Sequence, residues 1–118
     1  MQGLPLNHQL LDRGAVLLER TRTAAQYRFY ALPGGPPHRP GLIAVESHGA
    51  AIELEVWSVP SNTFGSFVAA IPAPLGIGKI KLADGRQVSG FLCEAYAVQG
   101  AVEITRFGGW RAYLESLS

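Results

Sequence analysis

The run "KIKLADGRQVSGFLCEAYAV", Lys79–Val98, constrains the fold more than any other stretch of this chain. It holds two strand-length segments on either side of Ala83-Asp84-Gly85-Arg86, and an Asp-Gly pair supplies the positive-φ positions that a tight hairpin turn requires. An antiparallel hairpin is therefore expected here. A sheet protein built on it must still cover both of the hairpin's faces.

Other segments supply strands for that purpose. "AVLLERT" and "QYRFYAL" are of strand length, and in the second Tyr27 and Phe29 face one way while Arg28 and Tyr30 face the other. "LIAVES" and "AIELEVW" read as a second hairpin through "HGA", with Ile52, Leu54 and Val56 alternating against Glu53, Glu55 and Trp57. Between these pairs lies "PGGPPHRPG", Pro33–Gly41, whose four prolines and three glycines are expected to stay out of any sheet. Three short helices are expected: one within "GLPLNHQLLDRG" that stops at Gly14, one over "SNTFGSFVAAI" that ends before Pro72, and one in "FGGWRAYLES". In the last, Trp110, Tyr113 and Leu114 share one side.

The pattern predicts a single α+β domain over residues 1–118. About six strands form a small mixed or antiparallel β-barrel, or a strongly curled sheet, with short helices closing it.

Composition removes several function classes. Hydrophobic residues make up 47% of the chain and charged residues 16%, so it can bury a core. A formal charge of +1 offers nothing to a nucleic-acid backbone or an anionic membrane. No apolar run approaches the length of a membrane span, and no secretory leader is legible. A lone cysteine, Cys93, rules out an internal disulfide. The expected location is the cytoplasm.

Familiar catalytic signatures are missing. His8, His38 and His48 have no metal-ligand spacing. "GIGKIK" leads into a strand instead of a helix, so it lacks the helix N-terminus of a phosphate loop. Several side chains keep two readings open. Glu53 and Glu55 lie on a solvated strand face or line a site. Glu94 closes the apolar run "GFLCE", either as a strand-end carboxylate in water or as an acid–base group at a cavity mouth. Tyr27 and Tyr30 either pack their rings and bond through the hydroxyl, or meet a ligand. Asn7 caps or packs near the first helix, or offers its amide to an anion. "IPAPLGIG", Ile71–Gly78, carries no reactive side chain, so it turns the chain and walls a cavity.

"GLPLNHQL", "TAAQYRFYALPG", "EVWSVP", "FGSFVAAIPAPLGIG", "KIKLADGRQVSGFLCEA" and "FGGWRAYL" occur in that order along nearly the whole chain. Taken together they resemble the C-terminal domain of allophanate hydrolase. The resemblance implies a γ-glutamylcyclotransferase-like fold, with a cavity for a small carboxylate such as N-carboxycarbamate. It also implies cofactor-free decarboxylation of that compound in urea and allophanate breakdown, without the Ser–Ser–Lys amidase activity of the family's larger part. Tyr27 and Glu94 are then the expected catalytic pair. Gly3, Leu4, Asn7, Tyr30, Pro72 and Gly76 are the expected substrate-binding positions, and no metal or cofactor is expected. The alternative is a non-catalytic accessory module for a separately encoded amidase, or for a second copy of itself. The family pattern carries residues ahead of "GLPLN", so part of a first strand and its anion-holding turn is expected to be missing here. A register drawn from Trp57 sets Ile71 where cyclotransferases carry a glutamate base, so cyclotransferase activity is not expected.

Overall fold

A computed structural model describes residues 10–33, 39–71 and 73–117. Among them are seven strands: β1 (Val16–Arg22), β2 (Tyr27–Ala31), β3 (Pro40–Ala44), β4 (Glu53–Ser58), β5 (Leu75–Lys81), β6 (Gln87–Cys93) and β7 (Val102–Glu103). Two α-helices, α1 (Ser61–Ala69) and α2 (Trp110–Ser116), and two 3-10 turns, Ala95–Val98 and Thr105–Phe107, complete the described architecture.

The strands form three antiparallel ribbons, β1–β4, β3–β2–β7 and β5–β6. Among the described residues, two isolated bridges lie outside these ribbons: Thr23 with Leu82, and Tyr27 with Ala50. The expected barrel is therefore open, and the sheets curl round a shared core without closing. Thr23, fully buried, is one joint of this arrangement. Its hydroxyl donates to the Ala24 carbonyl at 2.8 Å and accepts the Ile52 N–H at 3.0 Å, so the polar group between ribbons is satisfied.

Tyr27, Phe29, Leu42, Ile52, Ile80 and Ile104 form the main core, with Trp110 and Tyr113 of α2 packed against it. The inward alternation of Tyr27 and Phe29 is as the period-two pattern requires. Leu10, Ala15 and Phe67 form a second cluster, and Phe67 of α1 meets Phe91 of β6 edge to face at 5.7 Å. Leu10 and Leu11 are helical, and the turn that follows them closes at Gly14 with φ of 76°, a conformation that favours glycine.

Three expectations need correction. "LIAVES" does not pair with "AIELEVW": β3 pairs with β2, and β4 pairs with β1. The link between β3 and β4 turns back on β2 instead, where Ala50 and Tyr27 exchange backbone hydrogen bonds at 2.8 and 3.3 Å. Pro40 and Gly41 of the proline-rich stretch do enter a strand, opposite Ala31 and Tyr30, because a strand's first residue tolerates proline. The β5–β6 hairpin is displaced toward its N-terminal side. Its first strand starts at Leu75 within "IPAPLGIG", and "AYAV" leaves the sheet as a 3-10 turn. The two-residue β7 is too short for any sequence period to reveal.

The hairpin turn itself follows its sequence. Gly85 has φ of 94°, and Asp84 accepts the Arg86 N–H at 3.0 Å and its guanidinium at 2.8 Å. Arg86 also reaches Glu19 of β1. The Arg86 backbone N–H, then its guanidinium, holds the Asp84 carboxyl below its ordinary value of 3.8. A depressed carboxylate stabilises the fold above its unfolded pKa and loses that contribution as pH falls through the folded value. Asp84→Asn should therefore lower the melting temperature at pH 6, with the gap to wild type narrowing below about pH 4. A gap independent of pH between 6 and 2.5 would show that the charge is not what the turn uses.

Candidate functional site

A cleft of about 270 Å³ opens where the ends of two ribbons, β3–β2–β7 and β5–β6, meet. Its lining comprises Leu32 and Pro33 just past β2, Arg39 just before β3, Pro74 at the entry to β5, and Tyr96, Ala97 and Gln99 in and after the first 3-10 turn. Backbone bonding fixes each part. The Leu32 N–H donates to the Arg39 carbonyl at 3.0 Å and closes the base of the β2–β3 connection. The Glu94 N–H donates to the Pro74 carbonyl at 2.9 Å, tying the end of β6 to the start of β5. Leu32 is buried, and beneath it Gly41 leaves room for both the Leu32 side chain and the Cys93 thiol.

The wall is chemically lopsided. Leu32, Pro33, Pro74 and Ala97 give it apolar surface. Arg39 is the one cation among the described lining residues, and Tyr96 and Gln99 add neutral hydrogen-bonding groups. A guanidinium beside apolar surface is a strong carboxylate anchor, because its planar fork matches both oxygens and water competes less there. Cys93 lies just under this region. Burial pushes its thiol above the usual range, with the Glu94 charge adding to the effect, so at neutral pH it is an uncharged packing group.

The structure separates the expected catalytic pair. Tyr27 is 2% exposed, and its hydroxyl accepts the Lys81 N–H at 2.9 Å. Lys81 pairs with Gln87 at the turn end of the hairpin, whereas Glu94 follows Cys93, which pairs with Leu75 at the open end. The six-residue step between these pairs, from Leu75 to Lys81, spans about 20 Å at strand rise, so Tyr27 and Glu94 do not meet one small ligand. Glu94 is exposed, beside the cleft rim. Tyr30 is half-buried, paired with Gly41 and Glu103 on the face opposite Phe29. Gly76 is exposed, with open space where a side chain would stand. Gly3, Leu4, Asn7 and Pro72 lie outside the described residues.

The strand glutamates also diverge. Glu53 pairs with Arg22 at 2.9 Å in the open. The Glu55 side chain is 9% exposed, accepts the Trp57 indole N–H at 3.2 Å and lies 3.5 Å from Arg20. Glu55 is thus not on the solvated face that alternation suggested. Among the described residues no group of three His, Cys, Asp or Glu side chains is gathered to hold a metal. Sequence reasoning missed Arg39, Tyr96 and Gln99. Arg39 had one legible signal, as the only arginine in a stretch otherwise made of Pro, Gly and His38. The other two had none.

Residues 1–115 match the family profile of the allophanate hydrolase C-terminal domain. The chain belongs to the allophanate hydrolase C-terminal domain family. It is 46% identical to a urea amidolyase of Saccharomyces cerevisiae over 99% of its own length, and 44% identical to that of Lachancea kluyveri. It spans only 7% of the length of either of these relatives. Among solved structures it superposes on Kluyveromyces lactis allophanate hydrolase with a TM-score of 0.96 at 43% identity, covering all of this chain and 20% of that one. It also superposes on a uropathogenic E. coli-specific protein with a TM-score of 0.89 at 39% identity, covering 98% of this chain and 88% of that one. The resemblance drawn from the ordered strings is therefore shown. The chain thus has the fold of its allophanate hydrolase relative, with its own ribbons open as described above, and no helix among the described residues is long and apolar enough to cross a membrane.

Proposed function

We propose that this allophanate hydrolase C-terminal domain binds a small carboxylate in the Arg39 cleft and decarboxylates N-carboxycarbamate in urea and allophanate breakdown. The observation that carries the reading is a guanidinium set beside apolar residues in a cleft of small-molecule size, in a chain of this family. The chemistry asked of the protein is modest. The bond from nitrogen to the departing carboxyl carbon breaks, carbon dioxide leaves, the electron pair stays on nitrogen, and nitrogen takes a proton. Arg39 holds the retained carboxylate, the apolar wall disfavours the charge of the departing one, and Glu94 is the exposed carboxyl side chain at the rim. Tyr27 then serves the core. We further propose that the open ribbons are a variant of the γ-glutamylcyclotransferase-like barrel, retaining its cavity without its glutamate base.

Thermal unfolding with added malonate tests the binding half. A ligand at one hundred times its Kd adds about 2.7 kcal/mol, which raises the melting temperature of a chain this size by roughly 10 °C or more. Arg39→Ala is expected to weaken malonate binding about 10- to 100-fold, the range for losing a charge-assisted pair. No shift with either malonate or its half-amide malonamate, or a shift that survives Arg39→Ala, would reject the cleft as the carboxylate site. For the reaction, adding the protein to an amidase that cleaves allophanate should speed ammonia release in wild type and not in Arg39→Ala.

The accessory-module reading has one observation in its favour. Leu11, Val16 and Leu18, close together along the chain, are each more than half exposed. Co-elution with an allophanate-cleaving amidase that is abolished by Leu18→Glu would support it, and independent elution would remove it.

A further inference from the structure

The charge balance of the cleft points to a ligand class narrower than "small carboxylate". We infer that the cleft takes a monoanion, one carboxylate joined to a neutral carbonyl group such as an amide or an un-ionised carbamic acid, in preference to a symmetric dianion. This rests on the proposed reading of the cleft as a carboxylate site.

The argument is one of supply and cost. Among the described lining residues Arg39 is the one cation, so one carboxylate finds a charged partner. A second carboxylate would lie against Leu32, Pro33, Pro74 and Ala97, none of whose side chains can donate a hydrogen bond to it. The negative charge of Glu94, at the rim through its bond to Pro74, opposes it further. A neutral carbonyl group meets the opposite situation. The Gln99 carboxamide both donates and accepts, which is the complement of another amide or carboxylic acid, and the Tyr96 hydroxyl can do either. A site that hydrogen-bonds a neutral polar group discriminates strongly against an analogue that cannot match it. For the proposed reaction this has a chemical consequence. The half-protonated form of N-carboxycarbamate is the form selected, so the proton that nitrogen needs arrives with the substrate.

The test compares two isosteres at pH 7 by titration calorimetry, malonate as the dianion and malonamate as the monoanion with an amide end. Malonamate is expected to bind about tenfold or more tightly than malonate, in keeping with the strong rejection of mismatched polar groups. That preference should shrink in Gln99→Leu, while Arg39→Ala should lose both ligands. Both variants alter half-buried or exposed side chains, and their melting temperatures without ligand serve as the folding control. Malonate binding as tightly as malonamate, with Arg39 still required, would overturn the monoanion preference and leave the carboxylate reading standing. Neither ligand binding would overturn both.

Discussion

Tyr27→Ala is expected to cost the fold about 3–5 kcal/mol, the range for truncating a buried aromatic residue. Domains of this kind are stable by only about 5–15 kcal/mol in total, so the variant should be largely unfolded well below the wild-type transition. The reason is position. Tyr27 is 2% exposed at the centre of the main core, and its hydroxyl is the acceptor for the Lys81 N–H. Tyr27→Phe separates the two contributions. It keeps the ring and removes one part-buried hydrogen bond, at a cost of about 0.5–1.5 kcal/mol. Urea denaturation of the three proteins gives both values. Malonate affinity should be unchanged in Tyr27→Phe, because the hydroxyl lies about 20 Å along the hairpin from the cleft. A Tyr27→Phe protein that is as stable as wild type yet loses its ligand would return this residue to the site.

Gly49→Ala is expected to be the most damaging single-methyl change. A Cβ on Gly49 would lie 2.7 Å from Cα and the carbonyl carbon of Gln26 and from the Tyr27 nitrogen. These are backbone atoms at the head of β2, so relief means moving the strand that carries Tyr27 and Phe29. His48, one residue earlier, already holds φ at 61°, which leaves the turn little freedom to adjust. Overpacking costs about 1–3 kcal/mol where side chains can yield, and the upper part of that range or beyond is expected here. Gly65→Ala is the control of opposite sign. Gly65 lies within α1 with nothing within 4 Å of its missing Cβ, so alanine should stabilise by about 0.5–1 kcal/mol. Denaturant midpoints that moved the same way for both variants would show that close approach at Gly49 is not what requires glycine.

These two residues show what a linear reading reaches. The alternation in "QYRFYAL" was enough to send Tyr27 and Phe29 inward, because period-two burial is a local property of one strand. It did not show where the Tyr27 hydroxyl ends up, since that depends on Lys81, far along the chain. Gly49 looked like one more turn glycine. Its constraint comes from Gln26, which only the returning β3–β4 link brings near. The same holds for Glu55. That it lies in a strand was a local question, but its register partner Arg20 and its cover by Trp57 depend on the pairing of β4 with β1.

Strand pairing went astray for a related reason. "LIAVES" and "AIELEVW" are adjacent in sequence and both suit a hairpin, so proximity favoured pairing them. Hydrophobic burial favoured β3 on β2 and β4 on β1, because that arrangement encloses Leu42 and Ile52 in one core. The candidate site was the least legible part. Its residues come from the ends of two ribbons far apart in sequence, and neither Tyr96 nor Gln99 carries any pattern of its own.

By itself the sequence determined the strand-rich α+β class, the Asp84-Gly85 turn, the period-two faces, the helix over Ser61–Ala69 and, through long ordered strings, the family. All of these rest on interactions between near neighbours or on direct likeness. Tertiary structure alone decided which strands pair, that the barrel stays open, that Tyr27 and Glu94 lie at opposite ends of one hairpin, and that Arg39 joins Pro74, Tyr96 and Gln99 around a cleft. Those outcomes depend on contacts between segments far apart in sequence, whose energies are set by shared burial and leave no trace in local spacing.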